Sequence, residues 1–334
     1  MESEPKIKQK IQSLIFGCSI ILLVGKFIAY LLTGSAAIFT DAMESIVNVA
    51  AGGISLYCIR LASRPRDDSH PFGHGKIEMI SASMEGILII MAGAIIIYHG
   101  FERLFPPPPP SPLDIGIYIT AAAGIANYFL GMLSIKTGRK HRSEALVAGG
   151  KHLQSDTYST IGLVAGLILV KITGITLIDS LMALIFGGLI IFTGISILRK
   201  TIATLTDKAD PEKLMRTASI LNKYRRDDWI DIHNLKILEY GSYYFIECDL
   251  TLPWYYTVAQ GHRACESLEE IVKRESGEKI TFSVHADSCN ESHCRHCLIS
   301  DCKYRRNDFV AEEPIDLQQI VESDEEHSSD EKNM

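Results

Sequence analysis

A surplus of positive charge is what this sequence most plainly lacks. Its 33 Lys and Arg stand against 40 Asp and Glu, leaving a formal net charge of −7 at pH 7. Without a basic surplus there is no reason to expect a nucleic-acid partner. Much of the acidic excess lies between Glu312 and Glu331, a stretch poor in aromatic residues. A His-Glu-x-x-His motif is missing too, which removes the recognisable metallohydrolase reading, so no enzyme activity is expected. No organic cofactor is expected either. The first apolar run, Ile11 to Leu32, is too long for a signal peptide and lacks a small-residue cleavage site. It reads as a membrane span that stays in place.

Apolar length is abundant. A spanning helix needs about 20 mostly apolar residues. Six stretches qualify, at approximately 12–33, 36–59, 80–104, 114–136, 146–171 and 176–198. Lys and Arg cluster in every second loop: Lys6, Lys8 and Lys10; Arg60, Arg64, Arg66 and Lys76; Lys136, Arg139, Lys140 and Arg142; Arg199 and Lys200. The opposite loops carry only Arg103 and Lys171. That asymmetry predicts both termini in the cytoplasm. Pro106–Pro110 is expected to form a stiff extended connector on the outer face. A multi-pass protein of the bacterial inner membrane is the default localisation.

After Asp207 the pattern changes to that of a soluble domain. Pro211–Asn222 and Val258–Glu275 carry helical spacing, while Asp231–Glu239, Tyr243–Leu252 and Lys279–Ala286 alternate as half-buried strands do. The order α-β-β-α-β predicts a small open α+β sheet with helices on one face. The expected division is an arm at 1–11, a membrane domain at 12–206, a cytoplasmic domain at 207–288, a Cys/His-rich segment at 289–302, and an acidic tail at 303–334 without regular structure. Of eight cysteines, Cys18 and Cys58 are expected to pack among helices, and Cys248 and Cys265 fall in the soluble domain. Cys289, Cys294, Cys297 and Cys302 cluster beside His293 and His296. The Cys294-x-x-Cys297 pair is the sharpest element there, and thiolates suit zinc, copper(I) or an iron–sulfur cluster. A redox-sensitive or incidental cysteine-rich segment is the alternative.

Inside the membrane, Glu44 and Asn48 sit four apart on the second span, and His152 and Asp156 four apart on the fifth. That spacing puts each pair on one helix face. Two such helices facing each other offer four donors around one point, a set that suits a first-row divalent cation. Interhelical polar glue, with Asn48 and Ser155 in that role, is the competing reading. It fits the whole set less well, because a carboxylate at the bilayer centre costs at least about 2.5 kcal/mol.

These residues resemble the cation diffusion facilitator family. The resemblance is carried by Thr40-Asp41-Ala42-Met43-Glu44 through Asn48, by His152-Leu153-Gln154-Ser155-Asp156, by the loop from His70 through Glu78 (His-Pro-Phe-Gly-His-Gly-Lys-x-Glu), and by Leu205 to Ala209. It covers about residues 10–290. It implies a six-helix membrane domain plus a ferredoxin-like cytoplasmic domain, a homodimer in the lipid bilayer, and metal efflux in exchange for protons. It further implies a loop metal site at Asp67, His70 and His74, and a cytoplasmic site at His233, Asp249, His262, His285 and Asp287. The family most often presents His or Asp, then Asp, where this chain has Glu44 and Asn48. The resulting oxygen-rich set shifts the expectation from zinc, still first, toward iron(II) or manganese(II). A membrane-anchored metal sensor or scaffold without transport is the alternative function.

Overall fold

The computed structural model describes residues 4–33, 36–102, 114–173, 177–241, 243–277, 279–312 and 320–321. The Pro106–Pro110 connector and residues 322–334 of the acidic tail lie outside the described residues. The chain divides into two compact units, Met1–Thr206 and Asp207–Met334.

Among the described residues the first unit has six long helices: α1 (Glu4–Thr33), α2 (Ala36–Ala62), α3 (Ile77–Glu102), α4 (Asp114–Lys140), α5 (Glu144–Thr173) and α6 (Leu177–Leu205). A backbone in hydrocarbon must satisfy every N–H and C=O internally, and a helix does so within one segment. Among the described residues, α1, α3 and α6 contain stretches long and apolar enough to cross a membrane. Large apolar side chains such as Ile21, Leu31 and Phe192 point outward, as a lipid-facing surface requires.

Lipid supplies no hydrophobic drive between helices, so close backbone packing takes its place. In α3 and α6 this is built from glycine. A Cβ on Gly93 would stand 2.9 Å from the Gly187 carbonyl oxygen and 2.7 Å from Ile191 Cγ1. The α4–α5 pair repeats the device: a Cβ on Gly150 would stand 2.8 Å from the Gly131 carbonyl oxygen. At the start of α3, Glu78 accepts a 2.9 Å hydrogen bond from Lys8 Nζ of α1, and both side chains are buried. Losing one partner of such a pair would strand a charge, at a cost of about 3–5 kcal/mol.

The second unit follows the expected order: α7 (Pro211–Lys223), β1 (Asp231–Tyr240), β2 (Tyr243–Leu252), α8 (Val258–Ser276) and β3 (Ile280–Ser288). The sheet order is β1-β2-β3, with β1 antiparallel and β3 parallel to β2. Asp210 caps α7 and Thr257 caps α8 with a full capping box. Leu214 and Leu221 of α7 and Leu268 and Val272 of α8 pack with Ile246 and Leu250 of β2 on one face of the sheet. Ile320, from the stretch expected to lack structure, is fully buried in this same core.

Strand β1 is interrupted once. The register runs from His233↔Asp249 directly to Lys236↔Glu247, so Asn234 and Leu235 together oppose one residue of β2. This is a β-bulge, and Asn234 takes φ 55°, a conformation Asn tolerates better than most residues. The extra residue changes the parity of the strand. Ile232, Leu235 and Ile237 can then all face the core, while His233 faces the other way beside Asp249.

Candidate metal centres

The α2–α5 contact brings the intramembrane candidates together. Asn48 Nδ2 donates to Asp156 Oδ2 at 2.6 Å. Asn48 Oδ1 lies 2.7 Å from His152 Nε2, which donates when that nitrogen carries its proton. The amide therefore bridges the imidazole and the carboxylate of α5. His152 is buried. The side chain of Glu44, the fourth predicted donor, lies outside the described residues.

Sequence reasoning missed a fifth group. Glu85 of α3 is 3% exposed, and its Oε2 stands 3.7 Å from His152 Nδ1, on the ring edge opposite Asn48. At 3.7 Å this is a contact longer than a hydrogen bond; a carboxylate that closed on the ring would fix its tautomer and orientation and raise the basicity of the opposite nitrogen. The signal was present: Glu85 is the one ionisable residue between Glu78 and Tyr98 in α3, and charge inside a span marks function by default. The sequence does not say which helix it faces.

The loop between α2 and α3 forms a second group. Asp67 Oδ1 lies 3.0 Å from His70 Nδ1, and Asp67 Oδ2 lies 3.5 Å from His74 Nε2. The two rings lie 4.1 Å apart between centroids. The carboxylate also accepts the backbone N–H groups of Ser69 and His70, at 3.1 and 2.7 Å. These bonds hold the turn, and Gly73 at φ 89° closes it. The His70 ring beside it holds the Asp67 carboxyl below its ordinary value. One donor atom from each of Asp67, His70 and His74 lies within 4.8 Å of the others, a spacing from which all three can reach one cation.

The third group stands on the face of the sheet away from the helices. His233, Asp249 and Asp287 have donor atoms that all lie within 4.8 Å of one another. The bulge at Asn234 sets this geometry: Asn234 Nδ2 donates to Asp249 Oδ2 at 2.7 Å, and His233 Nδ1 lies 2.9 Å from Asp231 Oδ2. A second carboxylate thus orients the imidazole. The other two predicted residues are placed differently. His285 pairs with Asp287 at 3.1 Å on the exposed edge of the cluster. His262, exposed on α8, pairs with Glu266 at 3.3 Å instead.

Cys289, Cys294, Cys297 and Cys302 line a single cavity of about 250 Å³. All eight cysteines of the chain are free thiols. Burial pushes the Cys289 and Cys297 thiols above their ordinary value, and the Ile299 backbone N–H and then the Arg305 guanidinium pull Cys297 partly back.

Comparison with known proteins identifies the domains. Residues 13–206 match the profile of the cation efflux transmembrane domain, and residues 209–289 that of the cation efflux protein cytoplasmic domain. An uncharacterized transporter of Synechocystis is 35% identical over 76% of this chain and 82% of its own. The manganese efflux system protein MneP of Bacillus subtilis is 25% identical over 84% of this chain and 96% of its own. The cation-efflux pump FieF of Cronobacter sakazakii is 28% identical over 81% and 89%.

Proposed function

Since the chain belongs to the cation efflux family of membrane transporters, we propose that it exports a divalent transition-metal ion through the α2–α5 site in exchange for protons. Zinc is the first candidate, with iron(II) and manganese(II) next; the manganese named for the Bacillus relative adds weight to the last. The observation that carries this reading is the convergence of Asn48, His152 and Asp156 within hydrogen-bond distance, with Glu85 buried behind the imidazole. Glu44, four positions before Asn48 in the sequence, is the proposed fourth donor.

Loading a metal needs the Nε2 lone pair of His152, so any proton held between His152 and Asn48 must leave. Asn48 must also release Asp156 Oδ2. The metal thus replaces a hydrogen-bonded relay with coordination bonds, and protons arriving from the far side restore the relay and eject the ion. Rocking of the helices around this fixed site exposes it alternately to the two sides. The six helices span the bacterial inner membrane, with both termini in the cytoplasm.

The sheet cluster is the dimer's metal-sensing site. Its three close donors leave a coordination sphere to be filled; His285 stands exposed in register with Asp249, and the exposed His262 of α8 would come from a partner chain. The loop group at Asp67, His70 and His74 binds a further ion.

The test is a proteoliposome assay with a panel of metals and an entrapped pH dye. Transport moves metal inward and protons outward in wild type, and Asp156→Ala abolishes both. A sensor without transport would bind metal yet leave the lumen unchanged. Asp156→Ala vesicles that accumulated zinc, iron and manganese at the wild-type rate would overturn the site assignment.

A further inference from the structure

Beyond β3 the chain stops building a core. Between Cys289 and Glu312 the regular structure is one turn of 3-10 helix, Ser292–Arg295, and Cys297 is the sole buried apolar side chain among these residues. Segments with so little apolar burial are commonly held by cross-links or a metal. The spacing here is Cys-x4-Cys-x2-Cys-x4-Cys, and the fold places all four cysteines in the lining of one cavity.

The backbone that carries them is braced. Arg305 donates from Nη1 to the Cys294 carbonyl at 2.5 Å, and from Nη2 to the carbonyls of Cys297 and Ile299 at 2.9 and 2.7 Å. One guanidinium thereby shapes the turn bearing the central pair. Cys289 N–H donates to the Leu252 carbonyl at 2.8 Å, which fixes the first thiol to the end of β2. Val310 N–H donates to the Arg295 carbonyl at 2.8 Å and closes the segment on itself. Tyr304 packs on Trp254 and Tyr255 with ring centroids 4.8 and 5.0 Å away.

An all-thiol donor set selects a soft d10 cation over the hard ions that carboxylates and amides accept. A redox sensor needs an exposed thiol of low pKa, the opposite of the buried Cys297. The thiols are spread around their cavity instead of gathered as the loop and sheet donors are, so binding contracts the segment.

We propose that Cys289, Cys294, Cys297 and Cys302 form a zinc thiolate site, separate from the transport, loop and sheet groups, which staples the 289–312 segment to the end of β2. The proposal stands whether or not the chain transports metal, because its readout is sulfur coordination.

The experiment uses the full-length chain, purified reduced in detergent and titrated with cobalt(II). Only thiolate ligation produces a sulfur-to-cobalt charge-transfer band, so nitrogen and oxygen sites are silent. The band is expected to saturate, to vanish when zinc is added, and to be lost in the Cys294→Ser/Cys297→Ser double variant. Cys302→His, which keeps a zinc donor, should retain a weaker band and guards against a folding artefact. At zinc ten times its Kd, tryptic cleavage at Arg305 and Arg306 should slow roughly tenfold. Absence of the band in wild type, equal maleimide labelling of the four thiols with and without zinc, or a disulfide within the segment of the freshly purified protein would each overturn the proposal.

Discussion

Glu85→Gln is the perturbation that most directly tests how the membrane site works. The substitution keeps side-chain volume and hydrogen-bonding capacity, so α3 and its glycine-lined contact with α6 should be undisturbed. It replaces the carboxyl group that stands 3.7 Å from His152 Nδ1. Loss of a carboxylate behind a ligating imidazole typically costs about 10–100-fold in metal affinity, or about 1.4–2.7 kcal/mol. The expected outcome is a KM for metal raised by that factor in proteoliposomes, with Glu85→Asp intermediate because its carboxylate falls one methylene short. Binding by isothermal titration should weaken in parallel. If both variants load and transport metal within twofold of wild type, Glu85 does not position His152.

Three further outcomes are expected from the geometry. Gly150→Ala drives a methyl to 2.7 Å from Ile135 Cγ1 and 2.8 Å from the Gly131 carbonyl. It should destabilise the membrane unit by about 1–3 kcal/mol, read as a lower thermal midpoint in detergent, while Gly188→Ala, with nothing within 4 Å, is neutral. Asp287→Ala removes one of the three close donors on the sheet; at zinc 100 times Kd the wild-type domain gains about 2.7 kcal/mol, and the variant should lose most of that gain in chemical denaturation. Burial raises the Cys248 thiol, so the folded domain keeps that proton after the unfolded chain has lost its own. Stability should therefore fall as pH rises above about 8.5, by up to about 1.4 kcal/mol per pH unit. In Cys248→Ala alkaline denaturation curves should become shallower by that amount, while Cys265, Cys289 and Cys297, also raised by burial, keep the remaining slope.

The two periodic signals were legible from residues alone. Hydrocarbon forces the backbone into helices, so runs of apolar residues announced α1 to α6, and the helix period announced that Glu44 shares a face with Asn48 and His152 with Asp156. Alternation likewise announced the three strands of the second domain. Signals of this kind depend on neighbours a few positions apart, and a linear sequence contains them in full. Long-range facts are different in kind. Glu85 and His152 are 67 positions apart, and only the packing of α3 against α5 makes the carboxylate face the imidazole. A single left-handed residue, Asn234, sets the parity of β1, which gathers His233, Asp249 and Asp287 while His262 stays with Glu266 on α8. Ile320 shows the same limit, because the few apolar residues around it, Leu317 and Val321, make too short a pattern in an acidic stretch to reveal the core it enters. Local chemistry thus determined the elements and the type of donors, whereas tertiary packing decided which donors meet, because shared coordination depends on through-space distance between elements that no local pattern encodes.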